Sequence, residues 1–442
     1  MNHIDKLVAP YPPLSKRETQ FDIDAEQNGW LGEIPKRWVL KKAKYLFCQR
    51  FEKGNSKNLE LLTPSQHFGV IPQTMLEELT SQVVVKIGEK VDLRSFKGIH
   101  PGDFCISLRS FQGGFEYCKY EGVVSSAYTV FYPIVPIADG YYRFLFKSKS
   151  FIERMNAYTM SLRDGKNIPF EDFAETFIPY PPLDEQEEIA RFLDKKCAEI
   201  DALSSKIREE IILLQNSKNA FIRESVFGGL DRGKPMIDSG IDWVGCIPSD
   251  WMVRPLSLYF GERKNINSLS DETNLLSLSY GKVVQRDINA TGGLLPMSFS
   301  TYNIVEPDDI IIRPTDLQND QKSLRTGLCK EHGIITSAYI ALYRIAEIDA
   351  GFAHYVLHAY DIEKVFYNMG SGVRQGLGFD VLKKLKIPVP PLGEQEEIAQ
   401  YLDEKCAEID AIIEGKEKQL DVLDSYKKSL IYEYVTGKKV LS

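Results

Sequence analysis

Several features are scarce or missing in this chain, and each absence excludes something. No run of about 18 apolar residues occurs, so no membrane-spanning helix is expected. The opening MNHIDKLVAPYPPLSKRETQ has neither a cationic stretch nor an apolar one, so no signal peptide is expected either. The seven cysteines (Cys48, Cys105, Cys118, Cys197, Cys246, Cys329 and Cys406) are odd in number and include no CxxC pair. That argues against a disulfide framework or a zinc ribbon and for a reducing cytoplasm. A basic excess is also missing: 54 Lys and Arg face 62 Asp and Glu, a net charge of −8. The acidity is local. Residues 184–224 hold 7 basic and 10 acidic side chains, residues 393–439 hold 7 and 12, and the rest of the chain carries 40 of each sign.

What is present is enough for real cores, with a hydrophobic share of 43% and an aromatic share of 11%. A length of 442 residues suggests two to four units. An internal duplication organises them. Residues 178–202 (IPYPPLDEQEEIARFLDKKCAEIDA) and 387–411 (IPVPPLGEQEEIAQYLDEKCAEIDA) agree at 20 of 25 positions. The register continues, with Val226 and Gly228 answering to Val435 and Gly437. Each half opens on a second repeated signature, Trp30–Trp38 (WLGEIPKRW) and Trp243–Trp251 (WVGCIPSDW). Between these constant pieces, residues 39–177 and 252–386 have similar lengths and few matches: Leu61, Leu62 and Ser65 against Leu275, Leu276 and Ser279, and Ser126-Ala127-Tyr128 against Ser337-Ala338-Tyr339. The order is variable region, constant helix, variable region, constant helix.

The IPxPPL strings cannot be helical, because proline fixes φ and holds the preceding residue extended. A helix should follow each, with Asp184 as N-cap and Glu187 completing a capping box. Leu193, Ile200, Ile207, Leu214 and Phe221 recur at seven-residue spacing, as do Leu402, Ile409, Leu423 and Leu430, with Lys416 interrupting the second series. Such spacing with charged flanks predicts coiled-coil packing, each helix being the other's partner. Equivalent contacts by the two copies imply a pseudo-two-fold and hence antiparallel helices.

These residues resemble the Type I restriction-modification specificity (S) subunit family. The resemblance rests on PPLxEQxxIxx[FY]LD at Pro181–Asp194 and Pro390–Asp403, on WxGxIPxxW before each variable region, and on the two-copy arrangement of the whole chain. It implies an α+β fold in which two target-recognition domains, each a twisted sheet with small helices, are separated by two long antiparallel coiled-coil helices. The expected division is 1–178 (with 1–29 an N-terminal extension of no assigned role), 179–230, 231–387 and 388–442. The resemblance further implies double-stranded DNA, two methyltransferase (M) subunits and translocase-nuclease (R) subunits as partners. S-adenosylmethionine would sit on M, ATP and Mg²⁺ on R, and no cofactor or catalytic group on this chain.

The residues agree with that division of labour. Tyr11–Leu14, Tyr180–Leu183 and Val389–Leu392 lack the polar first and aromatic last residues of a methyltransferase turn. Gly228–Pro235 (GGLDRGKP) fails as a phosphate loop, since Pro235 stands where Mg²⁺ needs a hydroxyl. Gly370-Ser371-Gly372 lies outside any strand–loop–helix unit. His354 and His358 share a helix face with no third ligand evident, and Pro307-Asp308-Asp309 lacks the glutamate and lysine of a nuclease hairpin.

Base edges are read by polar side chains on rigidly presented loops. Three loops in each half fit. The first offers Ser65, Gln66 and His67, answered by Ser279, Tyr280 and Lys282. The second offers Arg109, Ser110 and Gln112, answered by Arg313, Thr315, Gln318, Asn319, Lys322 and Arg325. The third offers Arg163, Lys166 and Asn167, answered by Ser371, Arg374 and Gln375. Unlike loops imply an asymmetric two-part site, with half-sites on one face about 34–36 Å apart. Two rival readings stay open: a duplicated DNA-modifying enzyme, and a coiled-coil adaptor that never touches DNA.

Overall fold

In the computed structural model the described residues are 19–20, 29–54, 60–80, 95–107, 114–159, 168–289, 296, 298–317, 320, 323–369 and 376–441. The chain divides into two compact units, residues 1–207 with 418–442, and residues 208–417. This cut differs from the expected one. The constant helices are not modules of their own. Each is shared, because each half-helix buries its apolar side within one unit.

The first unit has a four-stranded antiparallel sheet in the order Phe47–Gln49, Thr129–Pro133, Phe104–Ile106, Phe115–Tyr117. The second repeats it with Phe260–Glu262, Ile340–Arg344, Ile310–Ile312 and Thr326–Leu328. The small pairings repeat too. The Ile-Pro strands Phe177–Tyr180 and Lys386–Val389 pair with Val39–Lys42 and Met252–Pro255. Thr19–Gln20 pairs with Ile34–Pro35 as Met236–Asp238 pairs with Cys246–Pro248, which gives part of the N-terminal extension a place. The cores under these sheets differ in chemistry. Phe47, Phe104, Phe115, Phe131, Phe146 and Phe173 interlock through edge-to-face and tilted ring contacts in the first unit. Ile310, Ile312, Ile340, Leu342 and Leu357 fill the second.

The two long helices are Leu183–Gly228 and Leu392–Val435. The Pro182 and Pro391 carbonyls accept the first helical bonds, from Gln186 and Gln395. Asp184 therefore lies in the first turn and is not the N-cap. The buried glutamines of the EQ motif fasten each helix start: Gln186 Nε2 donates to the Pro181 carbonyl at 2.8 Å and its Oε1 accepts from Ala138 N at 3.0 Å. Gln395 does the same with Pro390 at 2.8 Å and Asp349 N at 2.9 Å. Ala138 and Asp349 open the helices Asp139–Lys147 and Ala350–Ile362, so one side chain ties strand, long helix and domain helix together.

Within the first unit the helices run antiparallel. Phe192 meets Tyr434 with ring centroids 4.6 Å apart, and Lys427 Nζ lies 2.7 Å from Asp201. Leu193, Ile200, Ile207, Leu423 and Leu430 are buried there. Within the second unit Lys218 pairs with Asp410 at 2.6 Å and Lys416 with Glu210 at 2.5 Å. The lysine that interrupts the apolar series is thus accommodated by an ion pair between the helices. Leu402 and Ile409 are buried and Leu214 half-buried. Phe221 departs from expectation: it is 38% exposed, and Ile222, 1% exposed, takes its place in the core. Ile222 packs into the core of the second unit with Val226 and Phe227, so this end of the helix turns its apolar side to the domain, whereas Leu430, four heptads past Leu402 in the other helix, stays buried on the seven-residue series.

Each long helix ends on a glycine in the left-handed region, Gly229 (φ +70°) and Gly437 (φ +70°). A Cβ at Gly437 would stand 2.2 Å from Pro35 Cδ and 3.1 Å from Trp38 Cζ3. At Gly229 it would meet Trp251 at 3.3 Å and Pro248 at 3.7 Å. The WxGxIPxxW signature therefore seats a helix end, and the signature and the helix repeat because they fit each other.

His354 and His358 lie in the domain helix of the second unit, with ring centroids 5.8 Å apart. Burial lowers the imidazole of His354 to about 4 and that of His358 to about 3. The aligned first-unit residues are Arg143 and Lys147, which pair with Asp194 and Glu116. An unfolded histidine titrates near 6.5, so from there down to the folded values the unfolded chain binds more protons and stability falls with pH. Several groups act oppositely, among them Glu116 and Asp361, raised by burial to about 7 and about 6, and His332, raised by its bonds to Glu306 and Glu272. Converting both His354 and His358 to Gln is therefore expected to shrink the acid-side fall in melting temperature between about pH 6.5 and 4. Identical slopes for variant and parent would refute the assignment.

Candidate nucleic-acid interface

The first pair of candidate loops occupies equivalent hairpin tips. Ser65 ends the strand Leu62–Ser65, which pairs with Gly69–Pro72, and Gln66 is exposed in the turn. Ser279 and Lys282 face each other across the turn of Leu276–Ser279 and Lys282–Gln285. That turn is Tyr280-Gly281 with φ of +48° and +76°, as a two-residue primed turn requires. Tyr280 holds a left-handed backbone that tyrosine rarely adopts and is 90% exposed. Lys282 Nζ is 3.2 Å from Asp410 Oδ2, an exposed pair worth at most about 1 kcal/mol.

The second pair differs between the halves. Ser107 N donates to the Gly114 carbonyl at 2.8 Å, closing a six-residue excursion in the first unit. Arg313 N donates to the Arg325 carbonyl at 2.8 Å, closing eleven residues at the same corner of the second sheet. Arg109, Ser110 and Gln112 lie outside the described residues, as do Gln318, Asn319 and Lys322. Arg313 is half-buried and pairs with Asp320. Thr315 is exposed. Arg325 corrects the expectation of a surface reader, because it is 0% exposed. Its five N–H groups meet the Tyr367 hydroxyl (3.2 Å) and the carbonyls of Arg313 (3.4 Å), Thr315 (2.6 Å), Asp316 (3.0 Å) and Asp320 (2.5 Å). No donor is left to reach a base edge. The third pair, Arg163, Lys166 and Asn167 with Ser371, Arg374 and Gln375, also lies outside the described residues.

Two features escaped the sequence reading. Asp316 is exposed at φ +61° on the second loop, and a carboxylate can accept from a cytosine amino group. In the sequence it is one acidic residue among many, with no local pattern to mark it. The other is a repeated ion pair at the end of the hairpin opposite each of these loops, where Asp103 and Asp309 precede the strands Phe104–Ile106 and Ile310–Ile312. Arg50 grips buried Asp103 through Nε at 2.7 Å and Nη2 at 2.9 Å, and Arg263 grips buried Asp309 at 2.5 and 2.9 Å. Such forked pairs add geometric definition as well as energy. Arg344 takes Asp308 at 2.8 Å, so both carboxylates of Pro307-Asp308-Asp309 are engaged in ion pairs.

One frame built twice, with a constant helix pair and unlike loops at matching corners, defines a duplicated recognition scaffold. The model of the Type I restriction modification DNA specificity domain matches residues 49–212 and 336–422, and the chain belongs to this family. A protein of Methanocaldococcus jannaschii assigned as the type I restriction enzyme MjaX specificity subunit is 28% identical over 269 residues, 59% of this chain and 59% of that protein. The chain thus spans less than two thirds of that relative's length. The type I restriction enzyme MjaVIII specificity subunit of the same organism is 26% identical over 359 residues, 77% of this chain and 80% of that one. A chain solved in work on complex assembly and conformational transition of the type I R-M system has the same fold, with a TM-score of 0.65 at 16% identity over 92% of this chain and 99% of its own length. Among the described residues no helix is long and apolar enough to cross a membrane.

Proposed function

We propose that this chain is the DNA-reading subunit of a Type I restriction-modification complex. It binds an asymmetric two-part site on double-stranded DNA, one part to each variable region, and holds two M subunits and the R subunits through its constant segments. Methyl transfer to adenine with S-adenosylmethionine then belongs to M, ATP- and Mg²⁺-dependent translocation and cleavage to R, and none of this chemistry to the chain itself. One observation carries the reading: the sheet frame, the helix-start glutamines and the helix-end glycines repeat, whereas the loops at the matching sheet corner differ in length and residues. Duplicating a frame while diversifying one corner serves selection between two different targets. The helix pair then sets the spacer between the half-sites.

Exchange of residues 39–177 for those of a relative tests this, with methyladenine mapped across the genome. One half of the methylated motif is expected to change completely and the other half to stay. An unchanged motif would favour the adaptor reading, and methyl transfer by the purified chain alone would favour the enzyme.

A further inference from the structure

Arg325 stands where the first unit has Gly114. At that shared corner the second loop is five residues longer than the first, and each extra residue adds conformational freedom to be lost on ordering. The loop has no strand ladder of its own among its described residues 313–317, 320 and 323–325. It is held from within. The Arg325 fork binds four of its carbonyls, from Arg313 to Asp320, and the Tyr367 ring lies 5.0 Å below the guanidinium. The Arg325 backbone is itself anchored, its N–H donating to the buried Asp361 carboxylate at 2.5 Å. Only a planar group with several fixed donors can hold carbonyls that far apart in sequence at one point, and lysine's single ammonium cannot reproduce that geometry.

We propose that Arg325 is a positioning residue for base reading by the second unit: it sets the shape in which Thr315 and Asp316 are presented to DNA, without touching DNA itself. The first unit has a shorter loop and, at this place, a glycine with no side chain to donate, so the two half-sites depend on this arginine unequally. The inference rests on the DNA-reading role proposed above.

The test uses the full chain assembled with its methyltransferase subunits and a pool of duplexes carrying two randomised blocks. The parent complex is expected to enrich a two-part motif. With Arg325→Met, enrichment of the second part should fall at least tenfold while the first part is selected as before, and Arg325→Lys should recover only a fraction. Should Arg325→Met fail to fold, a graft of residues 108–114 in place of 314–325 needs no buried guanidinium. It should fold, keep the first part and lose the second. Parent-like selection of the second part by the methionine variant or the graft would overturn the proposal. So would equal loss of both parts in a variant whose melting temperature matches the parent's. A parent complex that selects no motif would overturn the DNA-reading role and the positioning role with it, whereas the other failures leave the DNA-reading role intact.

Discussion

Replacing Gly437 by alanine is expected to destabilise the first unit by about 3–5 kcal/mol, while Gly228→Ala is expected to be neutral or to stabilise by up to about 1 kcal/mol. Gly437 has φ +70°, a conformation that costs a residue with a Cβ roughly 1–3 kcal/mol. The added atom would also fall 2.2 Å from Pro35 Cδ and 2.7 Å from Cγ, in a rigid ring that cannot swing aside, which adds a penalty of similar size. Gly228 is the residue that sequence alignment pairs with Gly437, yet it is the last helical residue and lacks the left-handed backbone. A Cβ there would meet only the end of the flexible Arg232 side chain, at 3.3 Å. The structural counterpart of Gly437 is Gly229, and Gly229→Ala should destabilise the second unit by about 1–3 kcal/mol. Scanning calorimetry on the three variants decides the matter. Equal losses at positions 228 and 437 would sink this account of the helix ends.

The second large effect concerns the helix seam. Ile222→Ala should cost about 2–5 kcal/mol, the range for emptying a buried site. Phe221→Ala, at a residue 38% exposed, should cost no more than about 1–2 kcal/mol. A strict seven-residue pattern predicts the opposite order. Denaturant midpoints for the two variants, at unchanged slope, make the comparison. A larger loss from Phe221 would mean that the first helix keeps the heptad seam to its end, as the second does at Leu430.

Much of this protein is legible in local sequence pattern, and the particular departures show where local information stops. The long helices, their antiparallel pairing within each unit and the frame-plus-loops organisation were legible because the constant segments must match each other: the glutamine fastener and the glycine–proline–tryptophan seat are each built from two repeated pieces, so both copies stay recognisable. A sheet in each domain was expected from the family resemblance alone; the match between the two sheets, strand by strand, was not legible. The core passes from interlocked phenylalanines in one unit to isoleucine and leucine in the other, a change that conserves apolar filling but erases residue identity.

The amino-acid sequence by itself determined the duplication, the helices and the absence of a catalytic motif, since these follow from local pattern and chemistry. Tertiary structure alone decided that Arg325 is a scaffold inside its loop and not a surface side chain. Arg313 and Arg325 are equivalent as letters, and burial separates them. A guanidinium removed from water must satisfy five donors at once, and the chain supplies those acceptors only where the folded loop brings four carbonyls and a tyrosine hydroxyl to one point.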